Sequence, residues 1–217
     1  MGDLIKDMAA FHLDVLKEIS NIGSGHAATA LSQMLGKRVD MQVSRVMPMP
    51  FDEITEYVGG AENLITSVFL RFEGDITGNM FFIVDKEDAE SLVQDLAGIQ
   101  VEGDFCEMSL SVLQEVGNIL SGSYLTALAD FTAMEMKPTV PSLAIDMAGA
   151  LLSYGLTEIG KSSDYAIMID AEIQAEGMGH VRKDGKKGKT GHFFLLPDPE
   201  SFEKVFLALG VHQYGGH

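Results

Sequence analysis

A chain of 217 residues, 46% hydrophobic and 22% charged, carries enough apolar material for one large core or two small ones. Its formal charge of −17 excludes the sequence-independent grip on nucleic acid that clustered Lys and Arg provide, and equally disfavours anionic lipid. The single cysteine, Cys106, excludes an internal disulfide, and no apolar run reaches bilayer length. The expectation is therefore a soluble cytoplasmic protein with no membrane insertion.

In chain order, the first strong signal is a long helix running through Leu13–Leu31 and ending near Gly36, a residue suited to a left-handed cap. The start before it, Met1-Gly2-Asp3-Leu4-Ile5-Lys6, lacks the basic and apolar stretches of a secretory signal, and Lys6 stands where a myristoylation site needs Ser or Thr. An extended stretch, Val39–Val46, follows the helix. Next comes a strand pair, Ile65–Glu73 and Ile76–Val84, turning at Gly74-Asp75. A second helix then has Asp85 as N-cap, apolar Ala89, Leu92, Val93 and Leu96, and Gly98 as stop. Ile99–Phe105, with Gly103, is the one linker-like segment.

The same order then recurs. Leu13–Leu31, LDVLKEISNIGSGHAATAL, aligns without gaps on Leu110–Leu128, LSVLQEVGNILSGSYLTAL, at an offset of 97, with 11 of 19 positions identical. An extended stretch around Lys137–Ile145 and a strand pair, Tyr165–Glu176 with His192–Leu196, come next. The closing helix has Asp198 as N-cap, Pro199 at its first position, apolar Phe202, Val205, Phe206 and Leu209, and Gly210 as stop. Here Gly191–Gly210 matches Gly78–Gly98 at an offset of 113 from the opening glycine, falling to 112 at the closing one, so the second copy is longer by about 16 residues. Strand pairs mixed with helices outside strict βαβ order predict an α+β fold. We expect one domain spanning 1–217, built of two repeats (about 10–99 and 107–211) with pseudo-twofold symmetry, its largely antiparallel sheet flanked by helices.

Placing residues 100° apart converts the repeated helix into a surface. Asp14, Glu18, Asn21 and Gly25 fall on one narrow stripe, flanked by Lys17 and Ser24, with Val15, Leu16 and Ile19 opposite. In the second copy the stripe is Ser111, Glu115, Asn118 and Gly122, flanked by Gln114 and Ser121, with Val112, Leu113 and Val116 opposite. Burial accounts for the apolar half. It leaves unexplained a carboxylate and an amide three residues apart on the wet half, twice and in register. Asn is a mediocre helix former, and Gly costs about 1 kcal/mol against Ala inside a helix. A surface free to drift would not hold both. The stripe reads as a docking face with a reactive tip, the small Ser and Gly admitting another backbone.

Neither Glu nor Asn is a nucleophile here, and no His or Cys joins them at triad-like spacing. An amide can hold a water in line with phosphorus, which suits a substrate that brings its own metal ion and charge clamp. The helper then supplies only positioning, and a hundredfold gain needs about 2.7 kcal/mol.

At these residues the sequence resembles the CheC/CheX/FliY family of chemotaxis phosphatases. That family's motif is Asp or Ser, three residues, Glu, two residues, Asn, then 22 residues and Pro. Asp14-Glu18-Asn21 matches its first part, and Ser111-Glu115-Asn118 with Pro141 matches all of it. Ser44 stands where the first copy would need the proline. The doubled motif resembles the two-site members rather than single-site CheX, and FliY would carry a further switch domain. The resemblance implies a protein aspartyl-phosphate phosphatase acting on the phosphorylated response regulator CheY. Asn21 and Asn118 would orient the attacking water, and Glu18 and Glu115 would pair with the CheY lysine. Asp14, Ser111 and Pro141 would support them. No cofactor is implied for this chain, the Mg²⁺ being carried by CheY. The receptor deamidase CheD is an implied second partner. Two alternatives stay open: a non-catalytic adaptor binding CheD or phospho-CheY, and a structural component of the flagellar switch.

Other features are weaker. Gly23-Ser24-Gly25 lacks the Lys-Ser/Thr of a phosphate loop, and Leu120 replaces Gly23 in the repeat. His180, His192, His212 and His217 have no metal-ligand spacing. The basic insert Gly177–Thr190 reads as a solvated hairpin tip, and the 13 methionines as core filling.

Overall fold

The computed structural model describes residues 10–101, 103–159, 165–175 and 189–208. The first copy comprises helix α1 (Ala10–Leu35), strand β1 (Val39–Pro50), helix α2 (Phe51–Tyr57), strands β2 (Leu64–Gly74) and β3 (Gly78–Asp85), and helix α3 (Lys86–Ala97). The second comprises α4 (Glu107–Thr132), β4 (Met136–Pro138), β5 (Ser142–Met147), α5 (Ala148–Ile159), β6 (Tyr165–Ala175), β7 (Lys189–Pro197) and α6 (Pro199–Ala208). Among the described residues no helix is long and apolar enough to cross a membrane.

The strands form one antiparallel sheet in the order β1-β6-β7-β3-β2-β4, with β5 continuing the β4 edge against β2. Exchanging the two copies returns the same order reversed, which is what a twofold between β3 and β7 requires. Only the hairpin ladders β2·β3 and β6·β7 lie within a copy. Every other ladder joins the copies: the first strand of each repeat pairs with the hairpin of the other, and β3 pairs with β7.

Both faces of the sheet are covered, so β3 is buried from Gly78 to Val84 instead of alternating. Met80, Phe82 and Val84 pack beneath α1, α3 and α4, whereas Phe81 and Ile83 face α2 and α5. Asp85 caps α3 as expected, its Oδ1 accepting from the Asp88 amide at 2.8 Å, and Gly98 closes that helix at φ +69°.

Several expectations need correction. β1 runs on to Pro50, and each copy holds an additional short helix, α2 or α5, that the expected element order omits. The stretch Lys137–Ile145 is divided into two strands on either side of Thr139–Pro141. Ile99, Val101 and Phe105 pack against the main core, so the linker-like segment is part of the body. Asp198 and Pro199 stand at the cap and first positions of α6 as expected, and the Asp198 carboxylate has partners that local pattern does not show: Arg71 Nη2 and the Thr77 hydroxyl each donate to its Oδ2 at 2.6 Å. Burial alone would raise that carboxyl, but the Arg71 and Thr77 hydrogen bonds and the Arg71 charge carry it below the usual range. Glu176, Leu209 and Gly210 lie outside the described residues, as does most of the basic insert.

Candidate functional site

The two 26-residue helices α1 and α4 lie side by side on one face of the sheet. Leu16, Ile19, Ala27 and Leu31 anchor α1; Leu113, Val116, Leu120 and Leu125 anchor α4. Two close approaches set their positions. A Cβ on Gly23 would lie 3.1 Å from Tyr124 Cα, so the helices touch backbone to backbone there. A Cβ on Gly117 would lie 2.6 Å from a Val68 methyl, so α4 sits directly on β2. Gly23 therefore serves helix packing, which disposes of the phosphate-loop reading.

The contact also corrects the flanks of the stripe. Ser24 and Ser121, each 1% exposed, face the core side and not a visiting protein. Ser24 Oγ shares a 2.8 Å hydrogen bond with the Tyr124 hydroxyl, whose pKa burial raises to about 12 despite that bond. The remaining stripe is where the periodicity placed it. Asp14, Lys17, Glu18, Asn21 and Gly25 are exposed on α1; Ser111, Glu115 and Asn118 are exposed on α4, with Gln114 and Gly122 half-buried beside them. Nothing lies within 4 Å of where a Cβ on Gly25 or Gly122 would be. Glu18, Asn21, Glu115 and Asn118 make no side-chain hydrogen bond to another described residue, so both Glu–Asn pairs are available to a ligand.

Pro141 reaches this face through the fold. It ends the break between β4 and β5, and its carbonyl accepts from Gln114 Nε2 at 3.0 Å. Five residues, Pro138–Ser142, span the four from Phe69 to Phe72 on β2, so one residue is extra: a β-bulge. The first copy bulges at the equivalent point. Val43 pairs with Ala171 and Arg45 with Asp170, leaving Ser44 unpaired in register, its hydroxyl 3.5 Å from the Asp170 carbonyl. The distortion is thus common to both copies, and only the second fills it with proline.

The chain is 44% identical over 204 residues to the CheY-P phosphatase CheC of Bacillus subtilis (strain 168), covering 92% of this chain and 94% of that relative. The chain belongs to the CheC-like family. The family match falls on residues 11–43 and 108–145, which hold both helices with their Glu–Asn pairs and, in the second segment, Pro141. Two crystal structures share the fold: Thermotoga maritima FliY, at a TM-score of 0.71, 19% identity and coverage of 94% and 98%, and the FliM middle domain from H. pylori, at 0.64, 15% identity and coverage of 93% and 99%. These likenesses confirm the α+β architecture read from the sequence.

The other sequence candidates contribute nothing to this face. His192 stands across the sheet, its Nδ1 2.7 Å from Asp170 Oδ1, while the Tyr57 hydroxyl donates to the other oxygen of the same carboxylate. Burial and the Asp170 contact raise the Tyr57 pKa to about 12. His180, His212 and His217 lie outside the described residues. Among the described residues no group of three or more His, Cys, Asp or Glu is placed to hold a metal ion. What sequence reasoning missed is Gln114, read as a mere flank; its one signal is the pairing of a long amide with a proline 27 residues on.

Proposed function

We propose that this chain is a phosphatase that hydrolyses the aspartyl phosphate of CheY, with Asn21 and Asn118 as the water-positioning groups. The observation that carries the reading is that two Glu–Asn pairs stand exposed on duplicated helices, with no side-chain hydrogen bond to another described residue, while the opposite faces of those helices are buried in the core. Each Asn offers a carbonyl oxygen and an amide to one water, fixing it in line with phosphorus. Each Glu, one turn earlier, meets the lysine of CheY and sets the register of docking. Asp14 and Ser111 border the contact, and Pro141 stiffens its edge. CheY brings the Mg²⁺ that neutralises the leaving charge; this chain adds positioning alone.

The two copies act as one domain, a reading supported by the ladders that cross between them. CheD is the second partner we assign, and the cytoplasm the compartment. A purely structural role would need no amide at the crest of either helix; an adaptor that merely binds phospho-CheY would leave its phosphate lifetime unchanged.

The test is phosphate release from phosphorylated CheY by purified components. The chain should accelerate release, and the double variant Asn21→Ala, Asn118→Ala should lose nearly all of that acceleration while unfolding at the same urea concentration as the parent. A double variant that accelerates release as the parent does would remove the mechanism.

A further inference from the structure

The two copies treat one valine in opposite ways. Val43 and Val140 are equivalent at the helix offset of 97, each one residue before its bulge position. Val43 is 2% exposed and belongs to the core; Val140 is 84% exposed, the most exposed large apolar side chain among the described residues. A single exposed valine ordinarily needs no explanation. This one is held. The Thr139 amide donates to the Arg71 carbonyl at 2.8 Å, and the Arg71 amide donates to Thr139 Oγ1 at 3.1 Å. On the other side Gln114 donates to the Pro141 carbonyl, and the proline ring fixes its own φ. The segment is therefore tied on both sides of Val140, to β2 and to α4.

Gln114 sits beside Glu115 and one turn before Asn118, so the tied segment borders the reactive stripe. Site one has no such device: Lys17 replaces Gln114 and is exposed, Ser44 replaces Pro141, and the valine is buried. An apolar contact ordered before its partner arrives avoids the entropic cost of ordering it on binding. Resting on the phosphatase reading above, we propose that Gln114 is a positioning residue that holds Val140 out as an apolar contact for the phosphorylated receiver, making the α4 face the tighter of the two docking sites. The occupant is the receiver protein because the segment is continuous with the stripe on which Asn118 must meet the phosphate.

The test uses the full chain with Glu18→Lys and Asn21→Ala, which silence the first face. Two readouts are taken: KM and kcat for phosphate release from phosphorylated CheY, and Kd for CheY charged with beryllofluoride and Mg²⁺. Gln114→Met keeps length but loses the donor; Val140→Ser alters only an exposed side chain and leaves folding intact. Each should raise KM and Kd about tenfold with kcat within about twofold, and Gln114→Asn, which keeps an amide donor on a shorter stem, should fall between the parent and Gln114→Met. Unchanged Kd in both Gln114→Met and Val140→Ser would overturn the proposal, as would a fall in kcat at constant KM. Should the parent bind charged CheY without turnover, the phosphatase reading fails while the Kd comparison still decides the role of Gln114.

Discussion

Val43 and Val140 descend from the same place in a duplicated sequence, and the bulge beside each is preserved, yet one closes the core and the other faces solvent. The comparison separates what the scaffold needs from what a site needs. A bulge bends the strand and re-aims its neighbours whichever residue occupies it, so Ser44 serves the sheet as well as Pro141 does. Only the α4 side adds a rigid residue and a side chain to hold it.

The strongest way to break this comparison is to remove the amides one at a time. Asn118→Ala should lower phosphate release by about tenfold to a hundredfold, short of the roughly hundredfold to thousandfold cost of losing a lone oriented donor because the first face still turns over. Asn21→Ala should lower release by no more than about a tenth, because its face lacks the proline and the tie and so carries the minor share. Equal losses would mean that the motif residue at 141 is irrelevant to turnover.

A second contrast concerns packing. Gly117 lies against Val68, while its counterpart Ser20 is accommodated, buried at 3%. Gly117→Ala should therefore destabilise the protein by about 1–3 kcal/mol despite the better helix propensity of Ala, read as a lower urea midpoint at unchanged slope. Unaltered stability would show that α4 can lift off β2 at little cost.

The smallest effects separate Asp85 from Asp198, equivalent at the offset of 113. Asp85→Ala should cost about 1 kcal/mol through the lost cap at α3. Asp198 instead answers Arg71, and its folded carboxyl titrates below the unfolded value of about 3.9. A depressed carboxylate stabilises the fold above that unfolded value, and its contribution disappears as pH falls through the lower folded pKa. The stability gap between the parent and Arg71→Gln should accordingly be widest near neutrality and close as pH falls through the depressed carboxyl pKa. A gap independent of pH would assign Arg71 a packing role alone.

The duplication itself made most of this architecture legible. Two helices with the same 3.6-residue pattern, two strand pairs and two closing helices were readable because each signal occurred twice. The exposed stripe followed from angular arithmetic, and Glu18, Asn21, Glu115 and Asn118 stand on it. Three things escaped. Helices α2 and α5 are short, were not read from the sequence, and cover Phe81 and Ile83 on the second face of the sheet. Ser24 and Ser121 sit at the margin of the stripe, where only the neighbouring helix decides between solvent and burial. The Asp198 carboxylate is held by Arg71 and Thr77, residues 127 and 121 positions away in sequence. Local pattern tells a helix which side is wet; it cannot name the partner that competes for a side chain from another strand.

The crossed ladders carry one more consequence. Because each repeat lends its opening strand to the other's hairpin, severing the chain between α3 and α4 would strip both pieces of neighbours along several edges at once. Neither piece is a smaller version of the whole. A half-length fragment would find its missing edges only on another copy of itself, so its natural product is a pair of identical chains rebuilding the same seam.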